Sequence, residues 1–395
     1  MKKMFLLLGI VVLLVCGCGS MESDFKAEHI LESETREVSS ESRGLYRTYL
    51  GIGIDVETDL KESRVVYEDA PMVFQDKAVE EMFRNMLEKP EGEVYIRDLQ
   101  KIHAIYWNDE GYWSNLQSPE GMYPHVSGNE GPWETKQPES FADLSYCYNL
   151  QWLELPNGIE IPSLEPLSGL TQLEVIELNG TNVTEELLTE LGNLSTVKRI
   201  IFRGNVHLDS IGALLKLPQL EVLEFKTATV TELVLEEIGR FSELKYLDFG
   251  NDTGLGELTD GSFLLPIADQ LIYLWASGGI DWSSEVLAQM TNLEALSLYY
   301  GEDLSFLEML PKLKWLKLYC CNTKDWSPLS ASENLMNLEI CGNDKNVTDI
   351  TLEDLTPLTN LDYLWINFTT INEAYTRDEI IKALPSLTGL VNSLW

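Results

Sequence analysis

The chain has 395 residues, of which 64 are acidic and 28 are basic, so its formal net charge is −36. A body this acidic is repelled by the phosphate backbone of nucleic acids and by anionic lipid surfaces, which argues against a nucleic-acid partner. The general consequence of such a charge is solubility, so the charge by itself identifies no ligand.

The N-terminus has the pattern of a bacterial lipoprotein signal. Two lysines precede an apolar run over residues 4–15, which has the length of a signal-peptide core. The segment Val15-Cys16-Gly17-Cys18 resembles a lipobox, in which a small residue precedes the cysteine that receives lipid. This resemblance implies that a signal peptide over residues 1–17 is removed and that palmitate or other acyl chains on Cys18 anchor the protein to the extracytoplasmic face of a bacterial cell membrane. Ordinary secretion and an uncleaved anchor are the alternatives.

Residues 18–44 follow as a stretch rich in Glu and Ser with few apolar residues. A segment of this composition cannot bury enough apolar surface to fold, and its like charges repel one another. We therefore expect a flexible acidic tether that holds the folded part away from the membrane.

An internal repeat dominates the rest of the chain. The pattern L-x-x-L-x-L, with other apolar residues allowed, recurs at intervals of 20 to 27 residues. A further apolar residue stands three positions before nearly every copy, and a chance run of leucines would not keep both registers. The copies begin at Leu150, Leu173, Val197, Leu220, Leu244, Leu271, Leu293, Leu313, Leu335, Leu361 and, in degraded form, Leu387.

This pattern is similar to that of the leucine-rich-repeat family, and the sequence resembles bacterial leucine-rich-repeat surface proteins with internalin-like repeats. The resemblance covers about 250 residues, and we assign residues 141–395 to this domain. It implies an α/β fold: a curved right-handed solenoid with a parallel β-sheet on its concave side and a mixture of helices and 3-10 turns on its convex side. At about 4.8 Å per strand, eleven strands would line an arc of about 50 Å.

The convex segments fall into two kinds. Residues 182–192 and 229–239 carry apolar residues at near-helical spacing and end in glycine, so we expect helices there. Residues 303–310 and 354–358 are shorter and are similar to the 3-10 turns of internalin-type repeats.

Residues 45–140 are assigned to an N-terminal cap with an insertion. Within residues 73–102, four apolar residues share one helical face and a turn follows at Pro90-Glu91-Gly92. The segment resembles the helical cap of many Gram-positive surface proteins, which covers the open end of a solenoid, and residues 102–107 would continue its sheet. The insertion, residues 108–139, shows no periodicity; it is interpreted as a structural loop, with part of a binding site as the alternative. The four apolar residues are Val79, Met82, Phe83 and Met86.

Catalytic signals are weak. The four histidines lack metal-ligand spacing, and neither a nucleophile elbow nor a phosphate-binding loop occurs. We therefore expect no enzyme activity, no metal and no cofactor. Cys147 and Cys321 occupy buried positions of the repeat, whereas Cys320 and Cys341 fall on neighbouring strands and leave a disulfide open.

Side chains alternate along a strand, so the third, fifth and seventh positions of each repeat should project from the concave face. Exposed aromatic and arginine side chains on a rigid sheet are typical of binding hot spots, although aromatic residues also suit strands by propensity. The predicted ligand-binding residues are Trp152, Arg199, Arg203, Lys226, Tyr246, Tyr273, Trp275, Tyr299, Trp315, Tyr319, Tyr363 and Trp365.

These observations predict a cell-surface, lipid-anchored binding protein that recognises a protein ligand through its concave face. One alternative is a module that binds a surface glycan or peptidoglycan through the Trp and Tyr side chains. A second alternative is an enzyme or inhibitor with its site in residues 45–140.

Overall fold

The computed structural model describes residues 70–108, 111–116, 138–155, 160–180, 183–204, 206–250, 260–276, 280–299, 301–342 and 347–392. The predicted signal peptide, with its lipidation residue Cys18, and the predicted tether lie outside these residues, as does most of the insertion. None of the helices within the described ranges is long and apolar enough to cross a membrane.

Every predicted copy of the repeat contains a strand, and these strands form one large sheet. Its order is β15-β14-β13-β12-β11-β10-β9-β7-β5-β4-β3-β1-β2, while β6 and β8 pair separately. Neighbouring strands are parallel except for β1 and β2. The strands are β1 (Ile102–Asn108), β2 (Gly111–Leu116), β3 (Trp152–Leu155), β4 (Val175–Asn179), β5 (Arg199–Arg203), β6 (His207–Leu208), β7 (Val222–Lys226), β8 (Thr229–Val230), β9 (Tyr246–Asp248), β10 (Tyr273–Ala276), β11 (Ala295–Tyr299), β12 (Trp315–Tyr319), β13 (Asn337–Cys341), β14 (Tyr363–Asn367) and β15 (Gly389–Asn392).

The apolar positions of the repeat build the core. The first, fourth and sixth positions are buried in successive copies, as in Leu150, Leu153 and Leu155. Position six carries a run of stacked rings, Phe202, Phe225 and Phe249, with centroids 5.7 Å and 5.8 Å apart. A single repeat cannot cover its own apolar face, so the stacking of neighbouring repeats creates this core.

Both α-helices and 3-10 helices occur on the opposite side. The two predicted convex helices are confirmed as Glu185–Leu191 and Glu232–Ile238. The 3-10 turn expected within residues 303–310 is confirmed, but residues 354–358 are not a 3-10 turn, because Thr351 and Asp354 form a capping box that starts one α-helical turn. The helices are Lys77–Met86, Ile96–Leu99, Glu185–Leu191, Glu232–Ile238, Ser284–Leu287, Leu352–Leu355, Thr370–Ala374 and Arg377–Ala383; the 3-10 helices are Ala142–Tyr146, Glu165–Gly169, Gly212–Lys216, Ser262–Ile267, Ser305–Met309 and Ser327–Ala331.

The cap packs against the first repeat as one continuous structure. The helix Lys77–Met86 buries the predicted apolar face, and β1 pairs with β3, so the cap continues the sheet. Two buried carboxylates hold the cap against the start of the repeat domain through hydrogen bonds. Asp143 accepts the backbone N–H groups of residues 75 and 76, and Asp76 accepts those of residues 139 and 140. Charge-assisted bonds of this kind are stronger than neutral ones, so they fix the cap in place.

The insertion contains a strand that the sequence analysis did not predict. Residues 111–116 form β2, which pairs with β1 in an antiparallel hairpin. This hairpin covers the edge that β1 would otherwise present, which is the usual reason for a cap. Residues 117–137 of the insertion lie outside the described residues.

Four cysteines lie within the described residues, and all four are buried and outside any disulfide: Cys147, Cys320, Cys321 and Cys341.

Candidate binding surface on the concave face

The concave face is defined here as the side of the large sheet that carries positions three, five and seven of each repeat. Because neighbouring strands pair in register, side chains at the same position form rows across the sheet, for example Tyr273, Ala295, Trp315 and Asn337. All twelve predicted ligand-binding residues lie in these rows. The rows divide into two parts. The ionic half lies on β3, β4, β5, β7 and β9, and the aromatic half lies on β10 to β14.

The ionic half is a connected set of ion pairs. The Nε atom of Arg203 lies 2.5 Å from a carboxylate oxygen of Glu177. Arg199 donates to Glu224, and the ammonium of Lys226 lies 3.2 Å from Glu224 and also contacts Asp248. The same side chains extend to the aromatic residues, since the Arg199 guanidinium lies 5.4 Å from the centroid of the Trp152 ring.

Burial and neighbouring charges have opposite effects on the pKa values of these ion-paired side chains. Burial raises the pKa of Glu177 despite its contact with Arg203. Burial also opposes ionisation of Glu224, but the charges of Arg199 and Lys226 outweigh it and lower the pKa of that carboxyl. Burial would lower the pKa of Lys226, yet Asp248 and Glu224 raise it, so this lysine stays charged.

The aromatic half contains a second, smaller core. Tyr273, Ala295 and Trp315 are buried against one another, and Tyr246 and Trp275 pack on them. The small side chain of Ala295 on β11 leaves room for the larger rings of the strands on either side. The rings of Tyr246 and Tyr273 have centroids 6.2 Å apart, which joins the aromatic half to the last strand of the ionic half.

Lys317 lies at the centre of the aromatic half. Its ammonium is 5.1 Å from the ring centroid of Trp275 and 5.4 Å from that of Trp365, and it lies 3.4 Å from a carboxylate oxygen of Glu339. The Lys226 ammonium approaches the Trp275 ring from the other side of β10, at 5.7 Å. Burial raises the pKa of Glu339, and a single lysine and a hydrogen bond from Trp315 only partly offset that effect.

The expectation that all the predicted residues are exposed is wrong for three of them. Trp315, Tyr273 and Arg199 are buried, with Trp315 at 0% exposure. Rows of side chains about 4.8 Å apart are too close for large rings to stand free, so they cover one another. Arg203 is exposed, and the remaining eight are half-buried: Trp152, Lys226, Tyr246, Trp275, Tyr299, Tyr319, Tyr363 and Trp365.

Sequence reasoning missed Lys317 and Glu339. It selected aromatic residues, two arginines and Lys226 from the outward positions and did not consider the whole of the position-five row, where both residues occur. Reading that row across all strands would have placed Lys317 between Trp275 and Trp365. Within the described ranges, no group of three or more His, Cys, Asp or Glu side chains is arranged to hold a metal ion.

The comparisons with known proteins agree with this architecture. An internalin, inlF, from Listeria monocytogenes aligns with a TM-score of 0.51 and 20% identity, covering 83% of this chain and 93% of that one. The fold is that of a leucine-rich-repeat protein. Weaker likenesses are to internalin C2 of the same organism (TM-score 0.32, 18% identity, 77% and 98% coverage) and to the plant peptide hormone receptor RGFR1 in complex with RGF2 (TM-score 0.37, 15% identity, 64% and 45% coverage). No protein-family model and no curated protein matches the sequence.

Proposed function

We propose that this leucine-rich-repeat chain is a lipid-anchored binding protein of the bacterial cell surface, and that it recognises a protein ligand through its concave face. Cys18 carries the anchor, and the concave rows carry the recognition. No catalytic role and no cofactor is part of the proposal.

The observation that carries the proposal is the preorganisation of the concave face. Its cations are held by carboxylates or aromatic rings, and its large rings are packed against their neighbours. Side chains that are already fixed lose little conformational entropy when a ligand binds, which favours affinity. The half-buried rings of Tyr299, Tyr319, Tyr363 and Trp365 still offer apolar area of the kind found in binding hot spots.

The contacts of the tryptophans favour a protein over a glycan. A sugar ring stacks on a free face of an aromatic ring, but lysine ammonium groups approach Trp275 from strands on both sides of it. Trp365 and Trp152 each have a cation against the ring as well, and Trp315 is buried. In the described part of the cap, the buried carboxylate of Asp76 accepts backbone hydrogen bonds from residues 139 and 140, and these contacts do not favour the enzyme alternative.

The test uses the full-length chain produced in a bacterial host. The wild-type chain should be found in the membrane fraction, and a Cys18→Ala chain should not be retained there. The detergent-solubilised protein is then immobilised, and captured proteins and glycans are identified by mass spectrometry. A Tyr299→Ala/Trp365→Ala variant should capture at least ten-fold less ligand, because both side chains are half-buried on the concave face.

The matched control is a Leu265→Ala/Met309→Ala variant. Both side chains are about half exposed on 3-10 helices of the convex side, so this change also removes apolar surface. It should capture as much ligand as the wild type. Equal capture by the concave and the convex variant would show that the concave face is not the site, and capture of a glycan alone would support the alternative.

A further inference from the structure

The ion pairs of the ionic half have a consistent orientation, with the carboxylates beneath and two of the cations above. The side chains of Glu177, Glu224 and Asp248 are only 5–6% exposed. Those of Arg203 and Lys226 are 49% and 30% exposed. The most exposed members of these ion pairs are therefore cations, although the protein as a whole carries a net charge of −36.

Arg203 and Lys226 are direct neighbours in this surface. They occupy position seven of β5 and β7 and face each other in the register of the two strands. Neighbouring parallel strands lie about 4.8 Å apart, so the two side chains begin close enough to contact one small ligand group.

Neutralisation of the buried carboxylates does not account for this exposure. Arg199 shows the usual placement of an arginine that neutralises a buried acid. It pairs with Glu224, and its own side chain is only 4% exposed. Arg203 instead contacts Glu177 through Nε while half of its side chain faces solvent. The two terminal nitrogens of a guanidinium form a pair of parallel donors that can face a ligand while Nε contacts a carboxylate.

We propose that Arg203 and Lys226 form a recognition site for a carboxylate group of the ligand. The inference rests on the proposed function and names the chemistry of its partner. A carboxylate accepts two parallel hydrogen bonds from the Arg203 guanidinium, and Lys226 adds a second positive charge beside it.

The net charge of the protein limits the kind of partner. A strongly acidic protein would be repelled before it reached the concave face. The ligand that fits is therefore a protein with a neutral or basic contact surface that presents a single Asp or Glu side chain to Arg203.

The test uses a small probe and the full-length chain in detergent, labelled with ¹⁵N at arginine. The probe is the peptide Ac-Gly-Glu-Gly-NH₂, and its matched control is Ac-Gly-Gln-Gly-NH₂, which lacks only the charge. The Nε–Hε signal of Arg203, assigned by its loss in an Arg203→Gln chain, should shift saturably with the Glu peptide and not with the Gln peptide.

A pair of lysine variants separates a specific site from general charge. Lys226→Gln should weaken the binding of the Glu peptide at least five-fold. Lys245→Gln should leave it unchanged, because Lys245 lies at the other end of a neighbouring strand and pairs with Glu221 at 2.8 Å. A single cooperative unfolding transition for each variant shows that the fold is retained.

The absence of a saturable shift, an equal response to the Gln peptide, or equal weakening by the two lysine variants would each overturn the carboxylate site. The measurement needs no protein ligand. The carboxylate site can therefore fail while capture through the concave face stands, and the capture experiment can fail while the peptide still binds.

Discussion

The ionic half and the aromatic half of the concave face stand on the same repeat, yet they stabilise buried charge in different ways. In the ionic half, Glu224 has two cations against it, Arg199 and Lys226. In the aromatic half, Glu339 has one, Lys317, which lies between two tryptophan rings. The pKa of Glu224 is lowered and that of Glu339 is raised, because two cations outweigh the cost of burial and one does not.

This difference shows that the core constrains the residue types at the inward positions of each repeat but not those at the outward positions. The inward positions must be apolar in every repeat, because the neighbouring repeats are what covers the apolar face of each one. The outward positions have no such requirement, and one solenoid therefore carries a charged surface beside an aromatic one. The two halves meet where Lys226 contacts Trp275 and Tyr246 contacts Tyr273, and each half can be tested by changes away from these contacts.

The largest effect is expected in the aromatic half. Trp315→Ala should lower the free energy of unfolding by about 4 kcal/mol, because it leaves a cavity in the small core beneath Trp275 and Tyr273. Trp365→Ala removes a half-buried ring and should cost about half as much. Urea unfolding followed by circular dichroism measures both, and equal losses would mean that Trp315 does not belong to a packed core.

A slightly smaller effect is expected in the ionic half. Arg199→Met removes one partner of a buried ion pair and should cost about 3 kcal/mol, because Glu224 then has only Lys226 to offset its burial. The double variant Arg199→Met/Glu224→Leu should regain part of this loss, since it also removes the buried carboxylate. The same unfolding measurement applies. A double variant that is less stable than the single one would contradict the interpretation.

The smallest effect is the dependence of stability on pH, where Glu224 of the ionic half and Glu339 of the aromatic half should contribute with opposite sign. The native pKa of Glu339 is raised, so its contribution is complete below its ordinary value of 4.5 and is lost as the pH rises through the native value. The native pKa of Glu224 is lowered, so its contribution is complete above 4.5 and is lost as the pH falls through the native value.

Unfolding midpoints measured from pH 3 to pH 8 check this difference. Glu339→Gln should flatten the decline of stability above pH 4.5, and Glu224→Gln should flatten the decline below it. Curves that stay parallel to the wild type for both variants would show that neither carboxyl changes its pKa on folding.

Much of the architecture could be predicted because apolar spacing reports burial directly. The repeat predicted the strands of the large sheet from β3 to β15 and the buried positions one, four and six, but not the short strands β6 and β8. The helical pattern of residues 73–102 predicted the cap helix. The strand β2 was not predicted, since its pairing with β1 depends on an edge that exists only in the folded cap. The one-turn helix Leu352–Leu355 was also missed, because a capping box between Thr351 and Asp354 decided its geometry.

The spacing of apolar residues was enough to predict which side chains face the core and which face outward, because this spacing is set within each repeat and recurs regularly along the chain. Only the tertiary structure decided which outward side chains remain accessible. Trp315 and Arg199 are covered by residues from other repeats, about 20 or more positions away in sequence, and Arg203 is left exposed. Parallel strands bring these residues about 4.8 Å apart, and at that spacing the sizes and charges of the neighbours determine the surface.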